Sequence, residues 1–366
     1  MTYRAEADAL DRKILGVINA WHRRGATLDD GAFNDLALGL FAHQLRYNAP
    51  YARYCSYLGV SLAAMPESWG AIPAVPSPAF KEAAITTFDP TGAALVFETS
   101  GTTVGAPGRH YMERPALYDA ALIAGFDRLM LPDGARLRYF NLVPNPLERP
   151  TSSLGYMIGR VAQLRGHGRT GWYLEGDSLL FDRLERDLRE AIAQDQPVCI
   201  AATAFALVHL VDAMRRDGVE LRLPKGSRVM ETGGFKGRAR TVEREELYAA
   251  IGDRLEVQPE NIVAEYGMTE LTSQYYDNPA TRRKIGPPWL RARVVGPDRK
   301  TLPPGEIGSL LHVDLANRSS CVAVQTEDIG VQFDDGFILV GRAVNAPPRG
   351  CSLGAEGLRP LTAAVR

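Results

Sequence analysis

The chain has 366 residues, of which 45% are hydrophobic and 23% are charged, and its formal net charge at pH 7 is −1. This length suits one large domain or two, and the composition is that of an ordinary globular protein. The nearly balanced charge gives no basis for a nucleic-acid-binding surface or a polybasic membrane patch.

Membrane and export signals are not found in the sequence. No apolar run approaches the roughly 20 residues of a membrane span, and the charged N-terminus lacks the apolar core of a signal peptide. We therefore expect a cytoplasmic protein. The cysteines lie too far apart for a zinc pair or a dense disulfide framework. Cys55, Cys199 and Cys321 are expected to be small buried hydrophobic side chains, and Cys351 is considered below.

Residues 1–78 are predicted to form a helical segment that packs on the body of the protein. Apolar residues recur at helical spacing from Ala5 to Trp21 and again from Phe33 to Leu58. Prolines and a glycine between Trp69 and Pro78 predict an extended connection.

A loop rich in hydroxyl groups and glycines follows an apolar run that ends at Phe97. It reads Thr99-Ser100-Gly101-Thr102-Thr103-Val104-Gly105, and no acidic residue follows Glu98 in this stretch. Glycines let the backbone approach phosphate oxygens, and the hydroxyls add neutral donors. The spacing of Gly101 and Gly105, without a lysine, excludes a P-loop. We interpret the stretch as a phosphate-binding loop, with an ordinary turn as the alternative.

Predicted strands and helices alternate between residues 79 and 284. The strands are predicted at Arg136–Val143, Val198–Thr203, Ser227–Thr232 and Asn261–Glu265. The helices are predicted at Ser152–Leu164, Phe205–Arg216 and Thr241–Leu255. Strands separated by helices of this length predict an α/β fold of layered sheets with crossover helices.

The sequence pattern changes at residue 285. From there on, short runs typical of β-strands are separated by glycine and proline. Residues 285–342 predict a β-rich lobe, with strands at Arg291–Val295, Ile307–Val313, Ala323–Gln325 and Phe337–Val340. Residues 343–366 are predicted to be a short C-terminal tail.

The second informative motif is Glu265-Tyr266-Gly267-Met268-Thr269-Glu270. It follows a predicted strand, and open α/β sheets bind ligands at the carboxyl ends of their strands. Glu270 is a candidate Mg²⁺ ligand, because a hard cation prefers oxygen. Tyr266 is a candidate for stacking on a base, and Thr269 for contacting a phosphate. A strand-to-helix turn is the alternative.

The third motif is Thr326-Glu327-Asp328-Ile329-Gly330 with the later Gly341-Arg342. Asp335-Gly336 between them predicts a hairpin turn, so that Asp328 and Arg342 lie on paired strands. A carboxylate beside a guanidinium suits the hydroxyls of a ribose. The alternative is a surface ion pair of little energetic value.

Taken together, these motifs resemble the adenylate-forming superfamily of acyl- and aryl-CoA ligases and peptide-synthetase adenylation domains. Two further stretches resemble its LuxE-type acyl-protein synthetase branch: Glu231-Thr232-Gly233-Gly234-Phe235-Lys236-Gly237-Arg238 and Arg349-Gly350-Cys351-Ser352-Leu353. The resemblance implies the fold of the large N-terminal domain of adenylate-forming enzymes. It also implies an ATP- and Mg²⁺-dependent ligase that activates a carboxylic acid as its acyl-AMP. The walls of the acid pocket are expected from residues 140–146, residues 201–207 and the strand before Glu265, and the apolar character of these segments suits a fatty or an aromatic acid equally.

The resemblance assigns the nucleotide-binding residues position by position. The β- and γ-phosphates would contact Ser100, Gly101, Thr102 and Thr103. Glu270 would hold Mg²⁺, and Thr269 would contact the α-phosphate. The adenine would lie against Gly233, Gly234 and Tyr266, and the ribose against Asp328 and Arg342. Either Lys236 or Arg238 is our candidate for a cation near the α-phosphate, with solvated loop charges as the alternative.

The chain departs from larger members of the superfamily after Gly341-Arg342. Those members continue into a swinging domain that carries a catalytic lysine, whereas only 21 residues follow Asn345 here. We therefore expect this domain and its lysine to be absent, and another cation or a partner protein to assist adenylation.

The acyl acceptor implied by the LuxE resemblance is a cysteine near the C-terminus, which is Cys351. Arg349 would favour its thiolate, and an inert loop cysteine is the alternative. Another protein or a carrier protein is a candidate acceptor too. Two other functions stay open. One is direct transfer to coenzyme A, a carrier-protein pantetheine or an amine, and the other is a degenerate nucleotide- or acyl-binding subunit without activity.

Overall fold

The computed structural model describes residues 2–99, 106–176, 178–233 and 244–342. They form two compact units. The first unit takes its described residues from 1–124, 268–274 and 285–366, and the second takes them from 125–267 and 275–284. The four segments predicted from the sequence stay a prediction.

Three helices open the described chain, helices and strands are interspersed in its middle part, and seven strands follow the last helix. The helices are α1 (Tyr3–Arg24), α2 (Asp30–Tyr47), α3 (Ala49–Tyr57), α4 (Ala116–Gly125), α5 (Ser153–Arg165), α6 (Phe181–Ala193), α7 (Ala204–Arg216) and α8 (Arg244–Leu255). The strands up to β8 are β1 (Val75–Pro76), β2 (Leu95–Glu98), β3 (Arg109–Met112), β4 (Arg138–Leu142), β5 (Gly171–Trp172), β6 (Leu174–Glu175), β7 (Ser178–Leu179) and β8 (Val198–Thr203). The later strands are β9 (Arg228–Thr232), β10 (Ile262–Tyr266), β11 (Tyr275–Asp277), β12 (Lys284–Ile285), β13 (Leu290–Val295), β14 (Ile307–Asp314), β15 (Ala323–Phe333) and β16 (Gly336–Arg342).

The apolar pattern from Phe33 to Leu58 is divided between α2 and α3 at Asn48. The Asn48 side chain accepts a hydrogen bond from the Tyr51 N–H at 3.1 Å and so caps α3. Pro50 lies in the first turn of α3, where its missing N–H costs nothing. The buried Asn48 amide also donates to the Ser320 carbonyl oxygen at 3.0 Å. One side chain therefore both begins a helix and ties it to the segment after β14.

A second tie within the first unit runs from Gln44 on α2. Its amide nitrogen donates to the Asn317 carbonyl oxygen at 2.9 Å, and its amide oxygen accepts from the Val322 N–H at 2.8 Å. Arg318 is 1% exposed and pairs with Asp11 at 2.8 Å and with Glu113 at 2.7 Å. A buried guanidinium needs such partners, because an unpaired buried charge is costly. The turn after β14 is therefore held from several sides.

The first unit contains the antiparallel sheet β13-β14-β15-β16, with β1 parallel to β15. β15 and β16 form the hairpin predicted at Asp335-Gly336, with Phe333 opposite Gly336. Gly336 has φ of 140°, a backbone conformation that side chains disfavour. The hairpin therefore depends on glycine at this position.

The second unit is built on the parallel strands β10-β9-β8-β4-β5, with β11 antiparallel beside β10. Residues 198–202 of β8 are all buried, which is typical of a parallel strand covered on both faces. Val198, Ile200 and Ala202 belong to one hydrophobic core cluster, which also includes Leu207 and Leu210 of α7 and Ile251 of α8. Parallel strands share one direction, so the carboxyl ends of β8, β9 and β10 lie at one edge.

The described helices do not have the character of membrane spans. The longest of them, α1, has 22 residues but carries charged side chains along its length. Among the residues described, no helix combines the length and the apolar character that a bilayer crossing requires.

The double role of Asn48 predicts a large effect of its truncation. We expect Asn48→Ala to lower the free energy of unfolding by about 2–4 kcal/mol, because the cap is lost and the Ser320 carbonyl oxygen loses a buried donor. Asp29→Ala is the matched control, since Asp29 caps α2 through the Ala32 N–H at 2.8 Å but is exposed. It should cost about 1 kcal/mol. Urea unfolding followed by tryptophan fluorescence measures both, and equal losses would contradict the buried role of Asn48.

Candidate active site

The described residues include six of the predicted site residues: Gly233, Tyr266, Thr269, Glu270, Asp328 and Arg342. The other predicted residues lie outside the described residues: Ser100, Gly101, Thr102, Thr103, Gly234, Lys236, Arg238 and Cys351.

The residues that flank the predicted phosphate-binding loop are paired with each other. β2 and β3 are antiparallel, with Glu98 opposite Arg109. Beyond them, the Thr99 N–H donates to the Gly108 carbonyl oxygen at 2.9 Å, and the Gly108 N–H donates to the Thr99 hydroxyl oxygen at 2.9 Å. A Cβ atom at Gly108 would lie 3.2 Å from the Thr99 methyl carbon, so glycine permits this close pairing. The loop therefore starts and ends on a β-ladder.

The main chain of Thr269 and Glu270 is held by two buried side chains of the first unit. His110 of β3 contacts the Thr269 carbonyl oxygen through Nδ1 at 2.7 Å. The Asn317 amide nitrogen donates to the Glu270 carbonyl oxygen at 2.9 Å, and Asn317 Oδ1 lies 3.1 Å from His110 Nε2. This segment is therefore fixed by its carbonyl groups.

The residues that follow are held by the carboxylate of Asp314 at the end of β14. It accepts from the Thr272 N–H at 2.8 Å, the Ser273 hydroxyl at 2.9 Å and the Ala316 N–H at 3.0 Å. The Trp289 indole N–H also donates to the Ser273 hydroxyl oxygen at 2.9 Å. Burial raises the pKa of Asp314 to about 6, although these donors favour the charged form.

Glu270 is the described carboxylate that suits the predicted Mg²⁺ site. It is 6% exposed and sits in the segment fixed by His110 and Asn317. In the described parts of the chain, no group of three or more His, Cys, Asp or Glu side chains is arranged to hold a metal. Nucleotide-bound Mg²⁺ needs only one or two carboxylates, because phosphate oxygens and water supply the remaining ligands. The donor set therefore fits Mg²⁺ that arrives with a nucleotide.

Asp328 and Arg342 face each other across the β15–β16 ladder, as the hairpin signal predicts. The Asp328 N–H donates to the Thr326 hydroxyl oxygen at 3.0 Å, which fixes the start of this pair. The Arg342 guanidinium is half exposed and donates to Glu327 at 2.6 Å. Glu327 was not predicted from the sequence as the partner of Arg342. Asp328 and Arg342, the two residues expected to contact the ribose, therefore occupy paired positions in one hairpin.

Gly233 and Tyr266 follow directly on paired residues at the carboxyl edge of the second unit's sheet, where Thr232 lies opposite Glu265. Gly233 has φ of 69°, and among the described residues a Cβ atom there would meet no atom within 4 Å beyond its chain neighbours. Tyr266 is buried and packs against the Tyr275 ring, with centroids 6.0 Å apart. As far as the described residues show, space therefore lies beside the Gly233 backbone.

A buried group of charges near the same strands was not predicted from the sequence. Asp277 is 1% exposed and pairs with Lys284 at 2.9 Å and with Arg244. The Tyr248 hydroxyl donates to Glu231 at 3.2 Å. Burial lowers the pKa of Lys284 and raises that of Glu231. Glu231, Arg244 and the Asp277–Lys284 pair come from three separate parts of the sequence, so no local pattern predicted their contact.

Three of the cysteines are buried free thiols, as predicted: Cys55, Cys199 and Cys321. Burial raises the pKa of both Cys55 and Cys199 to about 12 and raises that of Cys321 further. A thiol is nucleophilic as its thiolate, so these three are poor acyl acceptors at neutral pH.

The chain was compared with models of known protein families and with curated protein sequences. The family model described as acyl-protein synthetase, LuxE, matches residues 28–355. No curated protein sequence matches the chain. The family and the enzyme class predicted from the sequence, an acyl-adenylate-forming ligase, are supported by this match.

Solved structures with a similar fold are adenylate-forming enzymes. A 2-hydroxyisobutyryl-CoA ligase in complex with 2-HIB-AMP superposes with a TM-score of 0.66 at 14% identity, covering 86% of this chain and 67% of that one. An open conformation of this ligase has a TM-score of 0.63 at 12% identity, covering 86% and 71%. MatB from Rhodopseudomonas palustris has a TM-score of 0.50 at 14% identity, covering 70% and 49%. The chain thus spans about half the length of MatB. The predicted fold class is confirmed.

Three buried histidines of the first unit predict a loss of stability in acid. Burial lowers the pKa of His43 and His110 to about 4 and that of His312 to about 3. Below pH 6.5 the unfolded chain binds protons at these sites and the folded chain does not. The free energy of unfolding therefore decreases as the pH is lowered. Asp314 opposes this trend, because its raised pKa lets the folded state bind a proton first.

We expect the first unit to lose about 3 kcal/mol between pH 7 and pH 5.5, with each histidine costing about 1.2 kcal/mol and Asp314 returning somewhat less than 1 kcal/mol. Urea unfolding at the two pH values measures the loss. His312→Phe removes one titrating group and should reduce the pH-dependent loss by about 1 kcal/mol. Equal stability of the wild type at both pH values would contradict neutral, buried histidines.

Proposed function

Because the chain belongs to the LuxE family of acyl-protein synthetases, we propose that it uses ATP to activate a carboxylic acid as its acyl-adenylate and transfers the acyl group to a thiol. The family match carries this proposal, since residues 28–355 include all three nucleotide motifs and Cys351. The 2-hydroxyisobutyryl-CoA ligase structure holds an acyl-adenylate on a similar fold, which agrees with this chemistry.

The nucleotide is bound by short motifs at strand ends and turns. The loop residues Ser100, Gly101, Thr102 and Thr103 bind the β- and γ-phosphates, on a stem closed by Thr99 and Gly108. Gly233 lies against the adenine, supported by the open space beside its backbone, together with Gly234 and Tyr266. Asp328 accepts from the ribose hydroxyls, and Arg342 lies opposite it in the ladder.

Glu270 is the residue that would hold Mg²⁺. When bound, the ion neutralises part of the negative charge on the phosphate oxygens. Glu270 suits this role because it is buried and its main chain is fixed by the donor from Asn317. A rigidly placed carboxylate loses little freedom on binding a cation.

Adenylation is a displacement at the α-phosphorus. A carboxylate oxygen of the acid attacks this phosphorus, the bond to the bridging oxygen of the β-phosphate breaks, and pyrophosphate leaves. The Thr269 hydroxyl donates to an α-phosphate oxygen, and Lys236 or Arg238 supplies positive charge there. Positioned donors of this kind stabilise the charge that develops in the transition state.

Acyl transfer then moves the acyl group to a thiol. The thiolate attacks the acyl carbonyl carbon, the bond from that carbon to the phosphate oxygen breaks, and AMP leaves with the electron pair. Cys351 is the proposed acceptor within the chain, because the other three thiols are buried and their pKa is raised. Arg349 beside it favours the thiolate, and a partner protein is the further candidate acceptor.

The acid is proposed to be fatty or aromatic. Two of the three segments expected to line its pocket, residues 140–146 and 201–207, are mostly apolar. Both begin within strands of the second unit and run past the carboxyl ends of β4 and β8. A panel of fatty and aromatic acids, tested by ATP–pyrophosphate exchange, identifies the acid.

Glu270→Gln tests the proposed Mg²⁺ ligand with little change of shape. We expect pyrophosphate exchange to fall about 100-fold, which corresponds to about 2.7 kcal/mol of lost transition-state stabilisation, and half-saturation to need more Mg²⁺. Glu306→Gln is the control, because Glu306 is an exposed residue of the first unit. Exchange with unchanged rate and unchanged Mg²⁺ dependence would remove Glu270 from the site.

Cys351→Ser tests the proposed acyl acceptor. Incubation with ATP, MgCl₂ and a radiolabelled acid that supports exchange should label the wild type and leave this variant unlabelled. Pyrophosphate exchange should persist, because adenylation precedes transfer. Cys199→Ala is the control and should be labelled like the wild type, since Cys199 is buried. Label retained on Cys351→Ser would exclude Cys351 as the acceptor.

A further inference from the structure

His110 and Asn317 are buried polar residues that no motif of the sequence singled out. Both are 1% exposed and both lie in the first unit. We propose that they are positioning residues, which hold Thr269 and Glu270 in place relative to the hairpin that carries the phosphate-binding loop. This inference rests on the proposed function, because the positioning role of His110 and Asn317 concerns the binding of the Mg²⁺-nucleotide by Thr269 and Glu270.

His110 connects the hairpin to the Thr269 main chain. It lies opposite Phe97 in the β2–β3 ladder, two residues after Gly108, where the loop ends. Burial lowers the pKa of His110 to about 4, so the ring is neutral near pH 7 and carries one N–H. The Thr269 carbonyl oxygen, 2.7 Å from Nδ1, and the Asn317 amide oxygen, 3.1 Å from Nε2, can both only accept. The single ring proton serves one of them, and we place it on Nδ1, toward the nearer oxygen. One hydrogen bond therefore joins β3 to Thr269.

Asn317 holds the next carbonyl group along the chain, that of Glu270. Its amide nitrogen donates to the Glu270 carbonyl oxygen at 2.9 Å. Its own main chain is fixed, because its N–H donates to the Asp314 carbonyl oxygen at 3.1 Å and its carbonyl oxygen accepts from Gln44 at 2.9 Å. Asn317 is therefore a rigid donor.

Two consecutive carbonyl groups held in this way set the direction of the Glu270 side chain. The carbonyl of Thr269 fixes the plane of the peptide that leads into Glu270, and the carbonyl of Glu270 fixes the plane that leaves it. The two planes together determine φ and ψ of Glu270 and hence the direction of its Cα–Cβ bond. Loss of either donor leaves the carboxylate present but less well directed, which weakens a metal site built on it.

The test compares variants that keep the buried volume and remove the donors. His110→Phe keeps a ring, which also preserves the edge contact with Phe80, whose centroid lies 6.1 Å away. Asn317→Leu removes the donor to Glu270 and serves as the second variant if His110→Phe does not fold. His43→Phe is the matched control, since His43 is equally buried in the first unit and packs on Tyr3. Urea unfolding establishes which variants fold.

The measurement is ATP binding by isothermal titration calorimetry, in 5 mM MgCl₂ and in EDTA, which needs no acid substrate. We expect Mg²⁺ to tighten ATP binding by the wild type and by His43→Phe. His110→Phe and Asn317→Leu should lose about 10-fold in affinity with Mg²⁺ and little in EDTA. His110→Asn can still donate to the Thr269 carbonyl and should recover part of the Mg²⁺-dependent gain.

Three results overturn the inference, and they are distinguishable. If folded His110→Phe and Asn317→Leu keep the wild-type gain from Mg²⁺, the positioning role is refuted while the proposed function stands. Affinity lost equally with Mg²⁺ and in EDTA also refutes the positioning role, because it shows a general structural effect. If the wild type binds no ATP in MgCl₂, the proposed function and the inference fall together.

Discussion

The segment 269–273 owes its conformation to hydrogen bonds from buried side chains, and the proposed chemistry depends on that constraint. His110 and Asn317 hold two successive carbonyl groups, and Asp314 accepts from Thr272 and Ser273. Within this described segment no helix or strand satisfies these main-chain groups. Buried polar groups without partners are costly, so the side chains that supply the partners decide the path of the chain.

In this protein the free-energy cost of burying charged side chains is offset by ion pairing. The same ion pairs help to hold the functional segments in position. Arg318 is enclosed with Asp11 and Glu113, and Asp277 with Lys284. Such pairs contribute little net stability compared with apolar packing, but removing one partner leaves an uncompensated charge. The pairs therefore favour one arrangement of the chain over others, which suits segments that must present a carboxylate or a hydroxyl in a fixed direction.

The spacing of apolar residues predicted most helices and strands of the second unit but missed others. The prediction for Val198–Thr203 agrees with β8 residue for residue, because a continuous apolar run between turns is typical of a buried parallel strand. The α6 helix was not predicted, although Phe181, Leu184 and Leu188 recur at helical spacing and are buried. Its many charged residues are typical of a polar connection, and only the helical spacing of the apolar residues indicates a helix.

The sequence by itself determined the family, the fold class and the order of the motifs, because hydroxyl-glycine loops, strand ends and hairpin turns are encoded by adjacent residues. Only the tertiary structure decided which side chains support those motifs. Asn317 lies 47 residues from Glu270, and His110 lies 159 residues from Thr269. Contacts over such separations arise from chain folding and leave no local pattern, since a buried histidine or asparagine looks the same in sequence whatever carbonyl group it meets.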